Sequence, residues 1–192
     1  MELGSNDLNI HGEGDIVLAN ELIAAMSGRK GKPFKVENAP STVPARQFYE
    51  CLGWEYFCLD VDRRPGTIHV DLNSGDFDAR FRGYFDIVTN HGTTEHVINP
   101  IASFFAIHEL AKPGGIIVHD TPVFGVGNHG FVNLTPKFWH TMIFFNEYEV
   151  LEGRVREIDP KLIDSSNFFL PHLGFLEGLQ AVAYHGAILT VF

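Results

Sequence analysis

The chain has 192 residues, 45% hydrophobic and 20% charged, with Lys+Arg 14 against Asp+Glu 24 for a formal net charge of −10. This balance is ordinary for a globular chain and excludes a disordered, collagen-like or disulfide-scaffold protein. The acidic excess also argues against a broad nucleic-acid surface, which needs clustered Lys and Arg. The length suits a single domain, 1–192, with 10–43 as an insertion and 156–175 as a loop or flap. Cys51 and Cys58 show no paired spacing and read as reduced thiols in a cytoplasmic protein. No apolar run approaches the ~20 residues that span a bilayer, so no membrane partner is expected. The opening MELGSNDLNI lacks the basic and apolar regions of a signal peptide and looks like a strand entered at its middle.

In chain order, the first strand leads into Gly4-Ser5-Asn6-Asp7. Residues 10–44 are irregular apart from a helical stretch, Ile16 to Met26, whose apolar face carries Ile16, Leu22, Ile23 and Met26, with Gly28 as its stop. A short helix fits Pro44 to Leu52, and WEYFCLDVD (54–62) reads as a buried strand. Thr67–Leu72 and Tyr84–Thr89 are further strands. Asn99 as N-cap and Pro100 at the first helical position start a helix with Ile101, Phe104, Phe105 and Leu110 on its apolar face. Lys112-Pro113-Gly114-Gly115 should stop that helix, and GIIVHD should follow as a strand covered on both faces. Thr135-Pro136 repeats the cap-plus-Pro signal for a helix bearing Phe138, Met142 and Phe145, ended by Asn146. YEVLEGRV (148–155) is a strand, and AVAYHGAILTVF (181–192) is strand material with a turn at His185-Gly186. The alternation predicts an α/β fold, a Rossmann-like and mostly parallel sheet with helices on both faces and an antiparallel C-terminal strand.

Ligands of open parallel sheets bind beyond the carboxyl ends of the strands. The polar residues there are Gly4 to Asp7, Asp60 and Asp62, Asp71, Asn90-His91-Gly92, and His119-Asp120. An acid ending the second strand can accept hydrogen bonds from both hydroxyls of a ribose. The glycine turn is not GxGxxG, and Asp60 follows Gly4 by 56 positions, against the ~20 of the dinucleotide fingerprint. That spacing disfavours a nicotinamide dehydrogenase. The absence of GxxxxGK[ST] removes a P-loop nucleotidase, and the absence of GxSxG removes a serine hydrolase.

ELGSND resembles the first motif of class I S-adenosylmethionine-dependent methyltransferases, in a variant where GxG becomes GSND. YFCLDVD, HVDLN, FDIVTNHGTTEHV and HELAKPGGIIVHD are similar to that family's later segments, in the same order, across about 1–10 and 44–157. The resemblance implies S-adenosylmethionine as cofactor. Gly4, Ser5 and Asn6 would approach its methionine part, Asp60 with Val61 its ribose, and Asp71 with Leu72 its adenine. Asn90, His91 and Gly92 would line the methyl-donor side.

Methyl transfer from a sulfonium aligns donor and acceptor, and a base removes the acceptor's proton where needed. His91, His96, His119 and His129 are the histidines at suitable places, although each taken singly has a structural role as its default. His129 and His119 are the expected catalytic pair, and His96 is expected to pack on the sheet. Asp120, His119, His129 and His140 lack HxH or HExxH spacing, so no metal is expected. The function implied is methyl transfer to a small-molecule or sugar-like acceptor, with no nucleic acid as partner and a homodimer as the assembly to consider. The alternative is a non-catalytic binding or assembly protein on the same fold, because the glycine motif is altered. Among the phenylalanines, those at 85, 104, 105, 138 and 145 read as core. Phe124, Phe131, Phe168 and Phe169 read as an aromatic lid or interface.

Overall fold

A computed structural model describes residues 1–27, 31–36, 41–124, 129–157 and 185–191. It divides into two compact units, Met1–His69 and Val70–Phe192.

In the first unit three short strands, β1 (Glu2–Leu3), β4 (Cys58–Asp60) and β5 (Thr67–His69), pair in parallel in the order β5-β4-β1. Leu3, Cys58 and Leu59 are buried, as expected of strands covered on both faces. A second, antiparallel pair joins β2 (Asp7–Asn9) to β3 (Thr42–Pro44). The segment between them holds helix α1 (Glu13–Ser27), and α2 (Ala45–Cys51) follows β3 directly. The Asp15 carboxylate accepts the His11 N–H at 2.6 Å, satisfying backbone ahead of α1 where a negative charge also suits the helix dipole. Ile23, Phe34, Val43 and Leu52 form a core, with Ile16, Phe48 and Trp54 packed against it. Asn20 fastens that core: its Oδ1 accepts the Phe34 N–H at 2.9 Å and its Nδ2 donates to the Phe34 carbonyl at 3.1 Å.

Three expectations for this unit need correction. Leu22 and Met26 are 44% and 55% exposed. At about 100° per residue they lie well to one side of the Ile16–Ile23 line that meets the core. The 54–62 strand reduces to β4, because the Trp54 N–H still bonds to the Tyr49 carbonyl at the end of α2. The 67–72 strand stops at His69. Gly28 lies outside the described residues.

In the second unit β6 (Phe85–His91) and β7 (Ala111–Phe124) are parallel. The helical connection expected between them is supplied by α3 (Pro100–Leu110). β9 (His185–Val191) runs antiparallel to β7 and to β8 (Glu152–Glu157), giving the order β6-β7-β9-β8. Helix α4 (Pro136–Phe145) starts where Thr135 Oγ1 accepts the Phe138 N–H, with Pro136 in the first turn. Phe104 gathers Phe138 and Trp139 at ring separations of 5.1 and 5.7 Å.

The strand β7 begins earlier than its sequence suggests. Lys112–Gly115 form an irregularity inside it, since Phe85 pairs with Ala111 and Ile87 with Ile116. The tyrosine at 148 donates its N–H to the Ile143 carbonyl and belongs to the end of α4, so β8 starts only at Glu152. His185 and Gly186 sit in β9, paired with Phe124 and Pro122, and make no turn. Ile101, Phe105 and Phe145 are 49%, 68% and 76% exposed, whereas Phe104 and Leu110 are buried as expected, with Ser103, Ala106 and Ile107 beside them on α3 and Trp139 on α4. Residues 158–184, with Phe168 and Phe169, lie outside the described residues, and Phe131 is exposed. No helix among the described residues is long and apolar enough to cross a membrane.

Candidate functional sites in the two units

The first unit places Gly4, Ser5 and Asn6 directly after β1, beside the end of β4. The ladder continues one step past β1, with the Gly4 N–H on the Leu59 carbonyl at 2.9 Å. Gly4 then turns the chain at φ +78°, a conformation that any Cβ disfavours. The Asn6 N–H returns to the Gly4 carbonyl at 3.1 Å. Asp60, ending β4, accepts the Ser5 N–H on Oδ2 at 2.6 Å and the Asp62 N–H on Oδ1 at 3.2 Å. An ionised carboxylate offers about four lone-pair directions, so both oxygens retain capacity for further donors. Val61, beside it, is 57% exposed.

Arg64 was not singled out by sequence reasoning. Its Nη1 donates to the Ser5 carbonyl at 3.1 Å and to Asp7 Oδ1 at 2.9 Å, and its Nε pairs with Asp62 at 3.1 Å. A guanidinium thus braces the glycine turn from outside. After the turn the chain enters β2 and no helix begins there, so the turn lacks the helix N-terminus that holds a diphosphate in dinucleotide folds. On β1 itself, the buried Glu2 accepts a hydrogen bond from Tyr56, and its burial raises its carboxyl above the usual range against that bond.

The second unit places Asp71 in an exposed loop, where Oδ1 accepts the Asn73 N–H and side-chain amide, both at 2.9 Å. Leu72 is buried, and its carbonyl accepts the Ser103 hydroxyl of α3 at 3.0 Å. At the end of β6, Asn90 is fully buried. Its Oδ1 accepts the Thr94 N–H at 3.2 Å, and its amide donates to Thr94 Oγ1 at 2.9 Å and to His119 Nδ1 at 3.1 Å. The backbone donor fixes the amide's orientation, which makes His119 Nδ1 an acceptor and puts its proton on Nε2. The His119 ring lies against Trp139 and Phe104, at 4.8 and 5.4 Å. Burial, with His91 as a smaller electrostatic contribution, lowers its pKa to about 3. His91 is half-buried, and the Gly92 N–H donates to the Asp120 carbonyl at 2.8 Å.

His129 is brought to a different neighbour. Its Nε2 is 3.7 Å from Glu95 Oε1, and its ring is edge-on to His96 with centroids 4.8 Å apart. His96 is exposed and does not pack on the sheet, because a short 3-10 turn at Thr94–His96 carries it outward. Burial and His129 push its pKa down, while Glu95 opposes them. Glu95 itself is 1% exposed, and among the described residues its Oε2 has no hydrogen-bond partner. The two expected catalytic histidines therefore occupy separate settings, His119 with Asn90 and His129 with Glu95 and His96. Adjacency at 95–96 was readable, but the partner at 129 is 33 positions away and no motif links them.

No family model matches the chain. Over 108 residues, 56% of this chain, it is 29% identical to the ubiquinone biosynthesis O-methyltransferases of two Cereibacter sphaeroides strains, ATCC 17029 / ATH 2.4.9 and KD131 / KCTC 12085. The match spans 39% of the length of these curated relatives. Among solved structures it is similar to the Burkholderia thailandensis 1,6-didemethyltoxoflavin-N1-methyltransferase, crystallised with 1,6-didemethyltoxoflavin and S-adenosylhomocysteine. The TM-score is 0.50 at 12% identity, over 93% of this chain and 78% of that one. With five parallel strands, helical connections and an antiparallel end, the chain has a Rossmann-like α/β fold, similar to that of this methyltransferase structure.

Proposed function

We propose that the chain transfers the methyl group of S-adenosylmethionine to a small-molecule or sugar-like acceptor. The observation that carries this reading is the coupling of Ser5 to Asp60, which puts a glycine turn and a strand-ending acid together at the carboxyl ends of two adjacent parallel strands. Such a crevice is where this class of sheet takes its ligand, and the acid suits a ribose diol. The turn leads into a strand, so it offers no helix dipole to a diphosphate. That favours a sulfonium nucleoside over a dinucleotide.

In this reading Gly4, Ser5 and Asn6 hold the methionine part and Asp60 the ribose. The sequence resemblance assigns Asp71 and Leu72 to the adenine, and Asn90, His91 and Gly92 to the methyl-donor side. His119, held neutral with Nδ1 already bonded, serves to position Asn90; a base with a pKa near 3 is a poor proton acceptor at neutral pH. The acceptor class draws support from the relatives, since neither name indicates a nucleic-acid or protein acceptor.

A second reading, a binding or assembly protein on this fold, is favoured by Arg64, whose guanidinium already occupies the Ser5 carbonyl. Thermal denaturation with S-adenosylmethionine, S-adenosylhomocysteine, NAD and ATP separates the two. A ligand that binds only the folded chain raises the melting temperature with the logarithm of its concentration. The enzyme reading requires a shift with the two sulfur nucleosides and none with NAD. Flat curves for all four leave the second reading standing.

A further inference from the structure

We propose that Glu95, His96 and His129 form a binding site for one divalent transition-metal ion of the Zn2+ type. One ligand atom from each, a carboxylate oxygen and two imidazole nitrogens, lies within 4.8 Å of the others. Around a four-coordinate ion with bonds of about 2.1 Å, ligand atoms sit roughly 3.4 Å apart, so closure takes movements of about 1 to 1.5 Å. Two of the three residues are exposed and can make that movement through their side-chain torsions.

Glu95 supplies the independent reason. Its side chain is 1% exposed, yet among the described residues Oε2 has no hydrogen-bond partner. A buried carboxyl group is ordinarily satisfied by donors or by a cation. His129 does not satisfy it, because 3.7 Å from Nε2 to Oε1 is too long for a hydrogen bond. The acid therefore stands buried beside two imidazoles with bonding capacity unused.

The backbone holds the two halves of the set together without any ion. The Glu95 carbonyl accepts the Phe131 N–H at 2.7 Å and the Val132 N–H at 3.3 Å. Between these bonds and His129, Gly130 passes so close that an added Cβ would lie 2.7 Å from the Glu95 carbonyl oxygen and 2.9 Å from its Cβ. A glycine is required for that approach, and the approach places His129 beside an acid 34 positions earlier in the chain.

The donor set decides the class of ion. Two imidazoles and one carboxylate suit Zn2+, Co2+, Mn2+ or Fe2+, whereas Mg2+ and Ca2+ favour oxygen ligands throughout. Three protein ligands leave positions for water or for an oxygen of a bound molecule, the arrangement of catalytic rather than structural zinc sites. The site stands on these residues alone and does not depend on the methyl-transfer reading.

The test is calorimetric titration of the chelator-stripped full chain with Zn2+ and with Mg2+, together with the visible absorption of added Co2+. One equivalent of Zn2+ should bind, Mg2+ should bind far more weakly, and Co2+ should give bands that Zn2+ erases. His129→Ala and His96→Ala should each weaken Zn2+ by roughly tenfold or more, a loss at least as large as that from removing a supporting residue. His140→Ala, at an exposed histidine outside the set, should bind as the unaltered chain does. Glu95→Gln should also lose the ion; because it alters a buried group, the exposed His129 variant decides if it does not fold. No uptake of Zn2+ or Co2+, or equal uptake by the His96 and His129 variants, overturns the proposal.

Discussion

The Ser5 N–H donates to Asp60 Oδ2 at 2.6 Å, tying the turn after the first strand to the acid that ends its parallel neighbour across 55 positions of chain. The carboxylate's other oxygen accepts the Asp62 N–H, so one side chain organises two loops. Asp60→Ala removes an acceptor from both donors and should cost about 1–3 kcal/mol of stability. Asp60→Asn keeps one acceptor and should cost less. Urea denaturation of the two variants checks the order. Equal and negligible losses would show that the turn does not lean on Asp60.

At Gly4 the backbone sits at φ +78°. Gly4→Ala should therefore destabilise by roughly 1–2 kcal/mol, the cost of a left-handed conformation for an L-residue. The comparison is Gly12→Ala, where an added Cβ meets nothing within 4 Å and φ is not left-handed. Melting of the two variants side by side reads the difference. A Gly4 variant as stable as the Gly12 variant contradicts the assigned turn.

His119 makes stability depend on pH. Its folded pKa, about 3, lies below the unfolded value of about 6.5, so between them the unfolded chain binds the additional proton. Its contribution is complete above about pH 6.5 and is lost as pH falls toward 3, by at most about 1.4 kcal/mol per pH unit. His119→Phe should flatten the fall in urea midpoint between pH 7 and pH 5, whatever its effect on absolute stability. An identical slope in the variant shows that another group governs the acid limb.

Asn20 links α1 to the Phe34 backbone through one accepted and one donated bond. Asn20→Ala leaves both Phe34 groups unpaired beside a buried ring, and should cost about 1–3 kcal/mol. Faster amide exchange at Phe34 is the expected local sign. Exchange at Phe34 unchanged from the parent chain would contradict the link.

Much of the fold is legible in local chemistry. Asn99-Pro100 and Thr135-Pro136 locate the starts of α3 and α4 to the residue, and Asn146 sits at the C-terminal cap of α4. What sequence could not show was set by partners. Asn99 makes no side-chain cap; its Nδ2 donates to the Asn73 carbonyl. The apolar stripe of α1 is wider than the core it covers, so Leu22 and Met26 remain outside. Lys112–Gly115 has the composition of a stop, yet Gly115 fits where its Cβ would lie 2.9 Å from the Lys112 carbonyl, and the strand absorbs the irregularity. The site divides in the same way. A strand-ending acid and a glycine turn are local signals, and Asp60 with Ser5 was readable. The Glu95–His129 meeting depends on Gly130 and two backbone bonds that no periodicity announces.

The central claim is that the Ser5–Asp60 turn binds a sulfur nucleoside. Titrating S-adenosylhomocysteine calorimetrically into the full chain and into Asp60→Ala tests it most directly, with folding of both verified by circular dichroism. The account predicts one equivalent of saturable binding to the unaltered chain and its loss in the variant. Binding absent from the unaltered chain, or undiminished by Asp60→Ala, would contradict it.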